Sequence, residues 1–399
     1  MPWKEVFPMD ERIRFAVLAS KGTEVFSVLC KEYGISRRIG YKWLRRYREL
    51  GLSGMRELSR RPRRSPRRLD AKLEQLIVTL RRRRPRYGPK KLLDLLVKEH
   101  GPGAMPALST VAKILHRRGL AKQRARRCRG EVAHIGSSGL TVPTRPNEVW
   151  PVDFKGWFRT ADGRRCDPLT VTDLFSRYVL DVRAVPAATQ RCCRHAFQRL
   201  FHRYGLPDVI RVDNGPPFAS WGLGHLSKLS VWWTSLGIRV EFIKPASPHL
   251  NGAHERMHRT LKADTTQPPS KTIAAQQRRF DRWRRRYNEE RPHEAIGMRR
   301  PADLYTVSTK RYCGSDKMVR YADDFMVKHV STSGFITYSG ERYFLGEAFG
   351  DTDVGLRHNR AGQTEIYFAN RLLGTLITNV QARFRPTASI APERSLMSA

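Results

Sequence analysis

Acidic residues are scarce in this chain, whose 399 residues include 37 aspartates and glutamates against 75 lysines and arginines. The formal net charge of +38 at pH 7 exceeds what solubility requires. An excess of this size points to a polyanionic partner, most simply nucleic acid. Ribosomal and membrane-surface proteins are also basic, so charge alone does not separate these classes.

Long hydrophobic runs are also missing. No stretch of about 18 consecutive apolar residues occurs, so no membrane-spanning helix is predicted. Residues 1–5 lack the apolar segment of a signal peptide. We therefore expect a cytoplasmic, DNA-associated protein with no membrane partner.

The six cysteines include no Cys-x-x-Cys pair, and a disulfide framework is not expected in a reducing compartment. Cys192 and Cys193, with His195 and His202 nearby, could suggest a zinc site. Cys193 shares its helical spacing with the apolar residues that follow it, which favours a buried helix face. These cysteines are therefore interpreted as packing residues.

Residues 1–55 are predicted to form a three-helix DNA-binding module. The turn at Gly34 and the capping residue Ser36, just before a helix over 37–50, are typical of a helix-turn-helix. Four residues of that helix are expected to face inward: Ile39, Trp43, Leu44 and Tyr47. The predicted DNA contacts lie on its other sides: Arg37, Arg38, Lys42, Arg45 and Arg46. A small helical bundle with a solvated basic face is the alternative.

A second helical module is predicted over residues 69–121, where leucines recur at helical spacing in three segments. It resembles a weak repeat of the first module, and Lys113 and Arg117 are its predicted DNA contacts. Two modules in series would read a longer DNA site than one can.

Two basic linkers are predicted on either side of the second module. Residues 56–68, rich in Ser, Pro and Arg, would either lie along a minor groove or act as a solvated tether. Residues 122–147 would separate the helical modules from the rest of the chain.

Residues 148–305 are predicted to form an α/β domain. Three antiparallel strands are followed by helices that alternate with parallel strands at 209–212 and 238–243. From residue 311 to residue 380, the apolar residues recur with a period of two. This pattern indicates a small all-β barrel. Residues 387–399 are expected to be a disordered tail.

Three acidic residues of the α/β domain lie at the ends of different predicted elements. Asp153 follows the apolar run 149–152, Asp213 ends the run 209–212, and Glu255 begins a helix. Carboxylates on separate rigid elements need a counter-charge if they converge, and their oxygens suit Mg²⁺ or Mn²⁺. Two such ions can hold the attacking and leaving oxygens of a phosphoryl displacement.

The predicted helix that carries Glu255 has two distinct sides. His258, Arg259 and Lys262 share the side of Glu255 and could follow a phosphate backbone. A second side is apolar and predicted to pack: Ala253, Met257 and Leu261.

Five motifs around these acids occur in order along the chain: residues 150–155, 173–178, 211–215, 247–256 and 287–293. Together they resemble the catalytic core of insertion-sequence transposases of the retroviral-integrase superfamily, the Asp-Asp-Glu recombinases. The resemblance implies a ribonuclease-H-like fold. It also implies that Asp153, Asp213 and Glu255 are catalytic ligands of two Mg²⁺ (or Mn²⁺) ions.

The activity implied by the resemblance is metal-dependent cleavage at the ends of a DNA element, followed by transfer of the 3′-OH into target DNA. A homo-oligomer is then expected, because two element ends must be joined together. The resemblance implies for the C-terminal domain an accessory role in DNA binding or in contacts between subunits.

Two other functions are considered. An inactive, domesticated DNA-binding regulator would be expected to lose at least one acid, yet all three are present. A ribonuclease-H-like nuclease that only hydrolyses would not need two DNA-reading modules. Among the other acids, Asp173 is the rival of Asp153, since it also ends a predicted strand and could instead form an ion pair with Arg177.

Overall fold

The computed structural model describes residues 8–58, 69–103, 105–121, 139–243, 252–314, 319–377 and 383–386. Most of the two predicted linkers and the predicted tail lie outside these residues, as does Asn251 before the Glu255 helix. The chain divides into two compact units, Met1–Asp70 and Ala71–Ala399. None of the described helices is both long and apolar enough to cross a bilayer.

The first unit contains three helices, as the sequence predicts: α1 (Pro8–Lys21), α2 (Phe26–Glu32) and α3 (Arg37–Leu50). The Ser36 hydroxyl caps α3 by accepting a hydrogen bond from the backbone N–H of Ile39. Gly40 permits close packing, because a Cβ there would lie 2.7 Å from the Cys30 sulfur. A small core closes the unit: Phe15, Ala16, Leu29, Cys30, Trp43 and Met55.

The second unit begins with another three-helix module: α4 (Ala71–Arg83), α5 (Pro89–His100) and α6 (Leu108–Arg117). Their predicted apolar faces are confirmed, since Ile77, Leu92, Leu96, Val111 and Leu115 are buried. The guanidinium of Arg81 crosses the module and donates to the carbonyl of Leu120 at 2.9 Å.

A mixed sheet forms the centre of the second unit. Its strands are β1 (Val149–Phe154), β2 (Phe158–Arg159), β3 (Arg165–Thr172), β4 (Val179–Val185), β5 (Val209–Val212) and β6 (Arg239–Phe242). The path runs β2-β3-β1-β5-β6, and β4 also pairs with β3. β3 is antiparallel to β1 and β4, whereas β1, β5 and β6 are parallel.

Helices cover both faces of this sheet, as predicted for an α/β domain. They are α7 (Gln190–Tyr204), α8 (Lys228–Ser235), α9 (Gly252–Thr265) and α10 (Ile273–Glu289). α7 and α8 pack on one face through residues such as Phe197, Phe201 and Trp233. α9 and α10 pack on strands β3 and β4 through Met257, Leu261, Phe280 and Trp283. Cys193 is buried in the α7 core, which agrees with the packing interpretation.

The C-terminal part is all-β, as predicted. Its strands are β7 (Met326–His329), β8 (Phe335–Tyr338), β9 (Glu341–Phe344), β10 (Asp353–His358), β11 (Thr364–Phe368), β12 (Arg371–Ile377) and β13 (Arg383–Pro386). Within the described ranges they pair as a five-stranded antiparallel sheet, β13-β12-β11-β10-β7, and a separate β8-β9 hairpin. The closed barrel stays a prediction.

The segment between β5 and α8 packs against these C-terminal sheets. Leu226 and Val231 are buried in one core with Leu356 and Phe368. Arg371 donates to the carbonyl of Gly224 at 2.9 Å. The apolar face of the C-terminal sheets holds this segment, which its local sequence does not reveal.

Candidate active site

Asp153 and Asp213 lie at the same edge of the central sheet. β1 and β5 pair in parallel, with Val149 opposite Val209, so their carboxyl ends point the same way. The first four residues of β1 are buried and Asp153 is half-buried, which places the carboxylate where the strand leaves the core. Asp213 directly follows the four buried residues of β5.

Glu255 comes to this edge from a helix. It lies in the first turn of α9 and its side chain is exposed. The opposite side of α9 is anchored by Met257 and Leu261, which pack against Phe280 of α10. Because α9 is held by this core, Glu255 has a fixed position relative to the sheet.

The charges of both other acids act on Asp153. The pKa of Asp153 is raised to about 7, mainly by burial and in addition by the nearby charges of Asp213 and Glu255. The backbone N–H of Phe154 and the charge of Lys155 oppose these effects. Burial also raises the pKa of Asp213. Above the raised pKa of Asp153, the site therefore holds negative charge that nearby protein groups such as Lys155 neutralise only in part.

A divalent cation fits this donor set. Carboxylate oxygens are the ligands that Mg²⁺ and Mn²⁺ prefer, and Mg²⁺ needs only one or two of them beside waters and substrate phosphates. Asp153, Asp213 and Glu255 could each offer such oxygens from a separate element. A bound cation would also favour the ionised form of Asp153 and so lower its raised pKa.

Asp173, the rival acid, has a different environment. It is fully buried, and one carboxylate oxygen accepts a hydrogen bond from the backbone N–H of Asn147 at 2.8 Å. The other oxygen accepts from the backbone N–H of Ser176 at 2.8 Å and from the Ser176 hydroxyl at 2.5 Å. These partners differ from the expected one, Arg177. Asp173 is thus held as part of the scaffold.

The burial of two histidines beneath Asp153 was not predicted from the sequence. His258 is buried and does not share the exposed side of Glu255, which corrects the predicted basic face. His254 is buried beside it. His254, Met257, His258 and Leu261 follow the spacing i, i+3, i+4 and i+7, so helical periodicity could have placed both histidines on the packed side.

The two histidines meet at one hydroxyl group. Thr170 of β3 lies opposite Asp153 in the strand register. Its hydroxyl donates to the backbone carbonyl of Asp153 at 2.8 Å and contacts Nε2 of both His254 and His258 at 2.7 Å. Nδ1 of His258 lies 3.7 Å from the Asp153 carboxylate. Asp153, His254 and His258 are the group of potential metal ligands found among the described residues.

The raised pKa of Asp153 predicts an unusual pH dependence for the metal-free protein. Between the ordinary pKa of 3.8 and the folded value of about 7, the folded chain holds a proton that the unfolded chain releases. The free energy of unfolding therefore falls as pH rises through this window. Since the side chain is 32% exposed, solvent screens part of the effect, and Asp153→Asn should stabilise the protein by about 1–2 kcal/mol at pH 8.

Urea unfolding in EDTA at pH 4 and pH 8 checks this expectation. The wild type and the Asp153→Asn variant should differ little at pH 4, where Asp153 is protonated in the folded protein. An equal difference at both pH values would contradict the prediction, because it would arise from packing and not from charge.

The predicted DNA contacts of the first module divide into two groups. Arg37, Arg38, Lys42 and Arg45 are exposed on α3. Arg46 is only 9% exposed, donates to the carbonyl of Arg56 at 2.8 Å and lies over the Trp43 ring. One helical turn separates it from Trp43, so it faces the module's own core and not the predicted DNA side. Ile39 was predicted to face inward, but it is 43% exposed.

The other predicted DNA contacts are on the surface of the second unit. Lys113 is exposed on α6, while Arg117 is exposed and forms an ion pair with Glu74 at 2.6 Å. Arg259 and Lys262 are exposed on α9 one and two turns after Glu255. They share a helix with one acid of the site.

Known protein families match the chain in two regions. The Integrase core domain family matches residues 143–248 and 236–301. A Helix-turn-helix domain family matches residues 11–63, and a Homeodomain-like domain family matches residues 39–115. These ranges cover the central sheet with its acids and the N-terminal helices.

Two of the curated relatives are insertion-element proteins of bacteria. The insertion element IS407 uncharacterized 31.7 kDa protein of Burkholderia multivorans is 28% identical to this chain. The alignment covers 57% of this chain and 78% of that protein. The insertion element IS476 uncharacterized 39.2 kDa protein of Xanthomonas euvesicatoria is 29% identical to this chain. The alignment covers 59% of this chain and 64% of that protein. A solved structure, the HTLV-2 integrase catalytic core domain in complex with magnesium (trimeric form), aligns at 18% identity with a TM-score of 0.31, covering 41% of this chain and 99% of that one.

Proposed function

We propose that the chain, which matches the Integrase core domain family and resembles insertion-element proteins, is a transposase that cleaves element ends and transfers their 3′-OH groups into target DNA. One observation carries the proposal. The charges of Asp213, directly after β5, and of Glu255, in the first turn of α9, both act on the carboxylate of Asp153 in β1. Such a group suits metal-assisted phosphoryl transfer.

Each acid would have a distinct place in the reaction. Asp153 and Asp213 would hold the cations from the sheet edge, and Glu255 would hold the second ion from α9. When bound, two Mg²⁺ or Mn²⁺ ions would activate the attacking hydroxyl and stabilise the charge that develops on the phosphate. Arg259 and Lys262 would position the DNA backbone along the exposed side of α9.

The bonds balance without a protein nucleophile. In the first step, oxygen from water bonds to phosphorus and the element's 3′ oxygen leaves with a proton. In the second, that 3′-OH bonds to a target phosphorus and the target's own 3′ oxygen leaves. The number of phosphodiester bonds is unchanged in the second step, so joining needs no external energy source.

The second helical module is docked on the helices next to the acids, which favours a coupled role. Arg86 pairs with Asp264 near the end of α9 and donates to the carbonyl of Ala263 at 2.8 Å. Arg84 pairs with Glu290 just after α10. A DNA end bound by this module would therefore be presented to α9 at a defined position.

The proposal also assigns DNA and other copies of the chain as partners. Basic exposed helices would bind element ends and target DNA, and a homo-oligomer would bring two ends together. The domain boundaries stated above belong to the same proposal, with residues 148–305 as the catalytic core.

A joining assay tests the proposed activity. The purified full chain is incubated with Mg²⁺ or Mn²⁺, a labelled duplex from the DNA that flanks its coding sequence, and a supercoiled target plasmid. Labelled ends joined to the plasmid are expected, with no product in EDTA. Cleavage without joining would instead identify a hydrolytic nuclease, and DNA binding without cleavage would identify an inactive regulator.

The first module's DNA contact can be tested at Arg45. Arg45→Ala removes an exposed charge from α3 and should weaken binding to the element end by about 10-fold, with a salt slope smaller by about 1. Fluorescence anisotropy across a range of salt concentrations measures both quantities. The control is Glu49→Gln on the same helix, which should not weaken binding. An unchanged affinity and slope for Arg45→Ala would contradict the assignment.

A further inference from the structure

The hydroxyl of Thr170 has three polar neighbours but only one proton. The neighbours are the carbonyl oxygen of Asp153 at 2.8 Å and the Nε2 atoms of His254 and His258, both at 2.7 Å. A carbonyl oxygen can only accept a hydrogen bond. Thr170 must therefore donate its proton to Asp153, because two acceptors 2.8 Å apart would otherwise repel.

This proton assignment determines the state of both imidazole rings. With its own proton used, the Thr170 oxygen can only accept from the histidines, so Nε2 of each ring carries the hydrogen. Nδ1 of His254 then accepts a hydrogen bond from the Thr172 hydroxyl at 3.2 Å. Nδ1 of His258 keeps a free lone pair, and it is the nitrogen that faces the Asp153 carboxylate at 3.7 Å.

His258 and Asp153 face each other without a hydrogen bond between them. At 3.7 Å it is too long for a hydrogen bond, and a lone pair facing a carboxylate oxygen lacks a proton between them. Two atoms that each bind one cation at about 2.1 Å can be at most about 4.2 Å apart. The gap between His258 and Asp153 is therefore within the span that one ion can bridge.

We propose that Nδ1 of His258 is a further protein ligand of the cation held by Asp153. The inference rests on the proposed function, since it assigns a ligand to the same site. His258 follows the usual pattern of metal-binding histidines, in which the other ring N–H donates to a neighbouring group that sets the tautomer and the ring orientation. Thr170 is that group, and its own proton goes to the backbone of Asp153, so one hydroxyl positions both ligands.

A nitrogen ligand has a consequence for metal choice. Mg²⁺ takes oxygen ligands, whereas imidazole suits transition-metal ions. A site with three carboxylates alone would not discriminate in this way. His258 should therefore shift the site's preference towards Mn²⁺ over Mg²⁺.

Two substitutions of His258 separate the ligand from the hydrogen bond. In His258→Gln the amide N–H₂ can take the place of Nε2–H and still donate to Thr170, while no atom occupies the position of Nδ1. In His258→Asn the amide group occupies the position of Nδ1 and can offer an oxygen, but it does not reach Thr170.

The test is a titration of the metal-free protein with Mn²⁺ at pH 8, in which electron paramagnetic resonance measures the bound Mn²⁺. Mn²⁺ affinity should fall at least about 10-fold in His258→Gln, with thermal stability in EDTA close to that of the wild type. His258→Asn should retain Mg²⁺ in competition with Mn²⁺ better than the wild type does. His202→Gln, which removes an exposed histidine on α7, is the matched control and should bind Mn²⁺ normally.

The outcomes separate this inference from the proposed function. Loss of Mn²⁺ binding in Asp153→Asn with normal binding in His258→Gln would keep the metal site and overturn the role of His258. An equal loss in His254→Gln and His258→Gln would also overturn it, because both nitrogens of His254 are already engaged in hydrogen bonds. Normal binding in Asp153→Asn would reject the proposed function's own metal site.

Discussion

Asp153→Asn, Asp213→Asn and Glu255→Gln should each reduce end cleavage and joining by at least about 1,000-fold, which corresponds to about 4 kcal/mol of lost transition-state stabilisation. Each substitution keeps the shape of the side chain but removes a charged metal ligand. Both steps should be lost together, because the same cations would activate water in the first and the 3′-OH in the second. Gel assays of labelled DNA ends measure the two products separately.

Binding of the element end should survive in all three variants, because the predicted DNA-reading modules carry their contacts on α3 and α6 and the exposed cations of α9 are unchanged. Asp162→Asn is the matched control, since Asp162 is an exposed acid of the same domain that hydrogen-bonds Thr160 in the loop between β2 and β3. It should cleave and join like the wild type. Joining activity close to wild type in any one of the three variants would show that this acid is not a ligand.

Asp173→Asn should destabilise the second unit by about 2–4 kcal/mol, because a buried amide N–H₂ would face groups that donate hydrogen bonds to the carboxylate. The backbone N–H groups of Asn147 and Ser176 and the Ser176 hydroxyl now have acceptors in Asp173. At least one of these donors would lose its partner. Urea unfolding in EDTA at pH 8 measures the loss.

Asp153 and Asp173 should respond in opposite ways to the same substitution. The same aspartate-to-asparagine change should stabilise the metal-free protein at position 153 and destabilise it at position 173. The Mn²⁺ affinity of folded Asp173→Asn should stay close to that of the wild type. Ser176→Ala removes the hydroxyl that donates to Asp173 and accepts from the backbone N–H of Tyr178, and it should cost about 1 kcal/mol. A stable Asp173→Asn variant that no longer binds Mn²⁺ would make Asp173 a metal ligand and not a scaffold residue.

Local periodicity predicted most of the secondary structure well. The bounds of α3 (Arg37–Leu50) and β5 (Val209–Val212) agree with the predicted segments. These segments are short, and their apolar spacing and flanking residues act over a few positions along the chain. The strand β13 (Arg383–Pro386) was not predicted, since its pairing with β12 depends on a distant segment.

Which side of a helix is buried was harder to predict. His258 was assigned to the exposed side of α9, Arg46 to the DNA side of α3 and Ile39 to its core side, and all three are placed otherwise. Two overlapping stripes can each satisfy the spacing of a helix, and the partner element selects between them. For His258 the partner is Thr170 on β3, which lies 88 residues earlier in the chain.

The sequence by itself determined the class of this protein: a basic chain with helical N-terminal modules, an α/β centre and an all-β C-terminal part, and with three acids in a recognisable order. Charge balance, periodicity and motif order are properties of the chain, and they survive without coordinates. Only the tertiary structure decided that Asp173 accepts hydrogen bonds from Asn147 and Ser176, whereas Asp153 lies near the charges of two other acids. It also placed two histidines beneath Asp153 through one threonine hydroxyl. Burial and hydrogen-bond partners arise from elements far apart in sequence, so no local pattern can specify them.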